Sequence, residues 1–283
     1  PPSDDINKYA VYERYDADRN FKTQYWPYGN QGLGMQNPYW IINRNMFNTD
    51  RDRYIISLSM KWNITNWLNI IGRARIDNAY TDFERKLYAS TDGLFAKSQG
   101  NYMNQEDKNT STYLDFLVNV DKKFGENYHL LVNLGGSFYD EKYKSDTFEG
   151  NLVGVPNFFH PSNIPSTESN YNKSELHTQT QSIYGKAEIG YRNFLYADVT
   201  GRIDWFSTLV GTSKEYVCYP SAGLSVILSE ILPLPEKIIS FWKIRGSYAQ
   251  VGNPPSAYLP YATVALENGN ATSANFTPAS HLK

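Results

Sequence analysis

The stretch DADRN places Asp16, Asp18 and Asn20 at alternate positions, the spacing with which a calcium loop opens. Such a loop needs Gly at its sixth position and Glu at its twelfth. Phe21 and Pro27 stand there, so a solvated turn is the better reading. GNQGLG (29–34) is glycine-rich like a phosphate cradle, but no strand pattern precedes it and no helical pattern follows, which favours a loop. His129, His160, His177 and His281 are scattered with no metal-ligand spacing. Ser207 and Thr208 have no base nearby in the chain, and Cys218, the one cysteine, carries no catalytic signature. The expectation is no enzyme, no metal and no cofactor. Two groups of residues remain. Tyr25, Trp26, Tyr28, Tyr39 and Trp40 stand among amides, with Asn43 and Arg44 just beyond. Ring faces beside hydrogen-bonding groups suit sugar rings or peptide side chains; the same rings can instead pack their own loop. The second group is Arg73, Arg75, Asp77, Arg202 and Asp204, with Arg245, spaced as if to form ladders of ion pairs along strands.

The elements that carry the charged group alternate apolar and polar residues, the period of a strand. In RDRYIISLSMKW, Tyr54, Ile56, Leu58, Met60 and Trp62 share a face opposite Ser57, Ser59 and Lys61. After NITN, Leu68, Ile70, Ala74 and Ile76 oppose Asn69, Arg73, Arg75 and Asp77. The pattern returns in TYLDFLVNVD and YHLLVNLGGSFYD around FGEN, then in SIYGKAEIGY and FLYADVTGRID around Arg192 and Asn193. It returns last in SAGLSVILSE and FWKIRGSYAQ around ILPLPEKIIS. About eight strands are predicted. Their connections alternate short and long, the long ones at 80–110, 140–178, 205–218 and beyond 250. A membrane β-barrel sorts its loops in this way, with short turns on the periplasmic side and long loops outside the cell. On that reading Val199 and Ile203 face lipid, while Arg73, Arg75, Asp77, Arg202 and Asp204 face a watery lumen. Trp62, Trp67, Tyr80, Phe194, Trp205 and Trp242 lie at strand ends, at headgroup level. A soluble β-sandwich adhesin or glycan-binding module shares the alternation and stays open at this point.

Composition narrows the classes. The chain has 283 residues, a net charge of −2 and 15% aromatic residues, with 23 Tyr. No basic excess suggests nucleic acid. Mean hydropathy is −0.55 and no apolar run is long enough for a spanning helix. PPSDD at the start is no signal peptide, and the expectation is a piece of a longer chain. Residues 1–50 and 251–283 read as extracellular-loop regions and 51–250 as barrel strands with long loops between them.

Four stretches, NPYWIINRN (37–45), GRIDWFSTL (201–209), YPSAGLSVILSE (219–230) and KIRGSYAQVGN (243–253), together resemble the SusC/RagA family of TonB-linked outer-membrane transporters of Bacteroidetes-type bacteria. Ile203 stands where that pattern commonly has Asn, and Phe206 where Ser often follows the Trp. The resemblance implies an all-β fold: an antiparallel transmembrane segment of a barrel of about 22 strands. In the family an N-terminal plug fills the barrel and a SusD-like surface lipoprotein caps it. Plug and C-terminal strands are expected to lie outside this chain. The implied function is TonB-dependent import of nutrient oligomers across the bacterial outer membrane. Oligosaccharides come first as cargo and oligopeptides are the nearest variant. The implied partners are the lipoprotein, the TonB complex through the plug, and membrane lipid.

Overall fold

The computed structural model describes residues 5–27, 35–212, 214–233, 239–257, 264–267 and 270–273. Tyr28, GNQGLG and His281 lie outside these residues. The N-terminal region forms a hairpin, β1 (Glu13–Asp16) and β2 (Phe21–Gln24), and one short helix, α1 (Pro38–Arg44). Eight strands follow: β3 (Asn45–Asn63), β4 (Leu68–Tyr88), β5 (Gly100–Phe124), β6 (Tyr128–Asn151), β7 (Ser169–Tyr191), β8 (Leu195–Phe206), β9 (Tyr216–Ile227) and β10 (Lys243–Ala249). They form one sheet in strict sequence order, as the eight predicted strands require. A last small hairpin pairs β11 (Val264–Glu267) with β12 (Asn270–Ser273). The chain divides into two compact units. The first comprises residues 1–54, 78–109 and 143–175; the second comprises 55–77, 110–142 and 176–283.

Register keeps like with like across the second unit. Ile183 pairs Ile203, which pairs Cys218. Ala187 pairs Val199, which pairs Ala222. On the other face Ser182 pairs Asp204, Lys186 pairs Thr200 and Thr200 pairs Ser221. The tight ends follow from backbone chemistry. Gly125 (φ 60°) opens the turn after β5, and Arg192 and Asn193 (φ 47° and 60°) make the turn after β7. Asn tolerates that left-handed conformation and Gly adopts it freely.

The two faces of this sheet are inverted relative to a soluble protein. Val199 is 57% exposed and Leu58, Ile183 and Leu224 are exposed likewise, whereas Asp204 is 6% exposed and Asp77, Asp115 and Ser182 are buried with it. A soluble sandwich turns its aliphatic face inward and its charges outward; a membrane barrel turns its aliphatic face out to lipid and its charges inward to the lumen. That inversion makes a test. Val199→Arg or Leu224→Arg in the full-length protein is expected to cost about 2–4 kcal/mol if the residue sits at the bilayer midplane, while Thr200→Arg and Ser225→Arg are tolerated. Outer-membrane yield of folded protein is the readout, and equal losses on both faces would refute the assignment.

Two expectations about connections need correction. Residues 80–110 and 140–178 are mostly strand, with loops only at 89–99 and 152–168. β4 to β7 run 21, 25, 24 and 23 residues, about twice what a bilayer crossing needs. Beyond the hydrocarbon both faces are wet, so the backbone ladder continues while the apolar alternation that announces it stops. For the same reason β3 begins at Asn45 inside the expected N-terminal loop region, which also holds a hairpin and a helix.

Candidate functional site

The N-terminal elements of the first unit are fastened by one buried amide. Asn37 caps α1, its side chain accepting from Tyr39 N at 2.9 Å, and Pro38 takes the first helical turn, where its missing N–H costs nothing. The Asn37 amide also donates to the carbonyls of Tyr9 (2.9 Å) and Tyr25 (3.1 Å), and its backbone N–H donates to Gln24 Oε1 (2.8 Å). Gln24 in turn bonds both the hydroxyl and the carbonyl of Ser90. Gln36 Oε1 accepts from Asp92 N. Trp40 is 1% exposed, and its indole N–H donates to Thr91 Oγ1 (3.1 Å), which donates to Asn45 Oδ1 (3.0 Å). One side of this cluster is electrostatic. Arg44 grips Glu13 Oε2 through Nε (2.9 Å) and Nη2 (2.7 Å), and Lys22 takes Oε1 (2.8 Å). Burial pushes the Glu13 carboxyl up, but the hydrogen bonds from Lys22 and Arg44 outweigh it and hold the group below its usual range. A depressed carboxylate stabilises the fold at neutral pH, and that contribution is lost as pH falls through its folded value.

These contacts sort the aromatic candidates. Trp40 was a candidate to meet cargo; its ring faces protein on all sides, so its observed role is packing. Arg44 is committed to Glu13, and its guanidinium also lies 5.1 Å from the Tyr88 ring centroid. Tyr25 is half-buried under the Arg14 guanidinium, 3.4 Å from the ring centroid. Trp26 rests against Tyr9 with centroids 5.2 Å apart. Tyr39 is half-buried, and exposed Asn43 donates to its carbonyl at 2.8 Å. Tyr25, Trp26, Tyr39 and Asn43 therefore keep surface that a ligand can reach. Asp16 spends its carboxylate on the N–H groups of Asp18 (3.1 Å) and Arg19 (3.2 Å), which is turn chemistry.

Sequence reasoning expected the two long loops of this unit, with wider bounds, but missed how they are held. They are stitched together: Asn157 N donates to Gln99 O, Leu152 N to Gly100 O, and Lys97 pairs Glu168 at 2.6 Å. Tyr102, Leu152 and Ile164 form a small core beneath them, with Phe148 and Phe159 packed on it. Burial, then the Glu84 carboxylate, push the Tyr102 phenol up to about 12. On the same loops Leu94, Phe95, Val153, Val155 and Phe158 are all at least half exposed. In sequence they stand in the short apolar runs Leu94–Phe95, Leu152–Val153 and Phe158–Phe159 and at Val155, among Gly, Asn and Pro, with no period to mark them.

On the polar face of the second unit the ion pairs expected of Arg73, Arg75 and Arg202 form. Arg73 reaches Asp115 through both Nε (2.8 Å) and Nη2, and Asp115 also accepts from Tyr113 (3.0 Å) and Tyr184 (3.4 Å). Arg75 pairs Asp77 at 2.8 Å. Arg202 pairs Asp204 at 2.7 Å and donates to Ser182 at 3.0 Å. Amides continue the ladder from Asn133 to Asn119 to Asn69. A polar face that is internally satisfied can line water without trapping ions. The family model described as TonB dependent receptor-like, beta-barrel matches residues 2–282, nearly the whole chain. The chain belongs to that family. It is thus a β-barrel chain of the bacterial outer membrane with a transporter fold, and the soluble sandwich is set aside. No curated protein matches the chain significantly. Solved structures agree on the fold. "Structure of the RagAB peptide transporter" matches with a TM-score of 0.74 at 15% identity, covering 90% of this chain and 29% of that one. The RagAB peptide importer in its 'open-open' state matches at 0.72 and 14% identity, covering 96% and 31%. Its 'closed-closed' state matches at 0.68 and 14%, covering 87% and 28%. The receptor-barrel chain spans about three-tenths of the length of these relatives. The barrel expected from the four motifs is borne out: the TonB-dependent receptor-like family by the family model, and a RagA-like fold by the solved structures.

Proposed function

We propose that this chain supplies wall and loops to a TonB-dependent importer of nutrient oligomers, oligosaccharides in the first place, that works with a SusD-like lipoprotein. The inverted sheet carries the reading: an aliphatic face suited to lipid backs a polar face whose charges neutralise one another, as the wall of a wet conduit requires. The polar face is then the lumen, the short turns at 64–67, 125–127 and 192–194 are periplasmic, and the loops at 89–99 and 152–168 are outside. Tyr25, Trp26, Tyr39 and Asn43 offer half-exposed rings and an amide to cargo. A second reading, oligopeptide cargo, is favoured by the likeness to the RagAB peptide transporter. In such an importer TonB acts through the plug.

The lid docks on the exposed apolar tips rather than on Trp40. Hot spots concentrate interface energy in a few large apolar side chains that the partner covers. In the full-length transporter, Phe95→Ser with Phe158→Ser is expected to weaken lipoprotein binding by about 1–3 kcal/mol. Co-purification of the lipoprotein should fall while barrel yield holds. Trp26→Ala is expected to lower growth on the cognate nutrient with co-purification intact. Unchanged co-purification and growth in both variants would leave the loops structural, and a full-length protein without TonB-dependent uptake would end the transport reading.

A further inference from the structure

β5 carries Phe116, Val118, Val120, Lys122 and Phe124 on one face, the face that meets lipid. A lysine there is costly within hydrocarbon, so its ammonium belongs at headgroup level, at the end of a stem laid along apolar surface. The structure supplies a seat for it. Lys122 Nζ stands 4.6 Å from the Trp67 ring centroid and 5.2 Å from that of Phe124. Among the described residues no carboxylate pairs with Lys122. Asp121, next in the chain, points to the other face and meets His129 at 2.6 Å.

The adjacent turn repeats the arrangement. Arg192 lies 5.3 Å from the Tyr191 ring centroid, and Tyr191 continues into Tyr128 (5.1 Å) and Phe194 (5.7 Å). Arg192 donates through N and Nε to the carbonyl and side chain of Asn127, which ties this turn to the one that follows Lys122. It too has no carboxylate partner among the described residues. Four lysines toward the long loops are neutralised within the protein: Lys86 by Glu84, Lys144 and Lys173 by Glu175, Lys142 by Asp140. The short-turn end thus presents two cations on aromatic rings, at the edge of the lipid face, with their counter-charge left to the surroundings.

We propose that Lys122 on Trp67 and Phe124, with Arg192 on Tyr191, binds the headgroup of an anionic glycerophospholipid. Each cation offers a point for a phosphate, the rings lie at the glycerol level, and beside Lys122 the acyl chains run along Val120 and Val118. Basic residues near an anionic leaflet are attracted to it, and aromatic neighbours fix the depth. The inference needs only the outer-membrane barrel and is independent of cargo.

Native mass spectrometry of the full-length barrel in mild detergent tests it, with phosphatidylglycerol and phosphatidylcholine of the same acyl chains added in turn. Wild-type protein is expected to retain phosphatidylglycerol in clear preference. Lys122→Gln and Arg192→Gln are each expected to lower that retention by roughly fivefold, and Lys122→Arg to keep it. Heat-modifiable gel mobility confirms that each variant is folded. If Lys122→Gln fails to assemble, the wild-type preference itself decides, since it must shrink as salt is raised. Equal retention of the two lipids by the wild type, or an unchanged preference in the double variant, overturns the site. Displacement of the lipid by glycerol 3-phosphate at equal concentration also overturns it, in favour of a plain anion site.

Discussion

Trp40→Ala is expected to destabilise the first unit by about 3–5 kcal/mol, the cost of emptying a buried aromatic site. Trp40 is among the most buried side chains described, and it closes the space between α1 and the 88–92 turn. The loss should show as cleavage of the N-terminal region by protease added to intact cells that carry the full-length protein. Trp40→Phe separates packing from polarity. It retains most of the ring volume and removes only the N–H donated to Thr91, whose hydroxyl still bonds Asn45. That variant should lose about 1 kcal/mol. Were Trp40 a cargo contact instead, Trp40→Ala would lower uptake and leave protease resistance as it was.

Trp26 and Trp40 look alike as letters, each a tryptophan among tyrosines and amides. What separates them is which side chains arrive from elsewhere. Thr91 and Asn45 close over Trp40, whereas Trp26 leans on Tyr9 at the surface of the same unit. No local pattern encodes that difference. Asn37 is the same kind of case. Asn-Pro can open a helix, but residues 1–50 read as loop, so this start went unread. That the same amide also collects the carbonyls of Tyr9 and Tyr25 depends on a hairpin whose two strands are four residues each, too short to show a period.

The sheet was legible where its two faces see different solvents. Val199 and Thr200, or Leu224 and Ser225, differ because one face of the strand meets hydrocarbon and the other water. Strand number, face assignment and turn positions all come from that contrast. At Asn104, Gln105 and Lys144 the contrast has gone, and the strands continue on backbone hydrogen bonds alone. The charge ladder was legible for pairs two residues apart on one strand, Arg75 with Asp77 and Arg202 with Asp204. Asp115 was missed as the partner of Arg73, because 42 residues separate them and only register joins them.

That missed pair makes the other large prediction. The Asp115 side chain is fully covered, while Arg73 remains half exposed. Removing Arg73 leaves a buried carboxylate with two tyrosine hydroxyls and no counter-charge. Breaking a buried pair from one side costs about 3–5 kcal/mol, and the half-exposed arginine places Arg73→Met toward the lower figure. Replacing both members, as Arg73→Met with Asp115→Leu, should recover most of the loss, since no charge is then stranded. Lys144→Met supplies the comparison. Its pair with Glu175 is about half exposed on both sides and should be worth less than about 1 kcal/mol. Urea unfolding of the full-length barrel in phospholipid vesicles, followed by gel mobility without heating, ranks the three. The order expected is a large loss for Arg73→Met, a smaller one for the double variant and almost none for Lys144→Met. If Arg73→Met and Lys144→Met lose the same amount, lumen water solvates Asp115 in the assembled barrel, and the ladder contributes charge balance without stability.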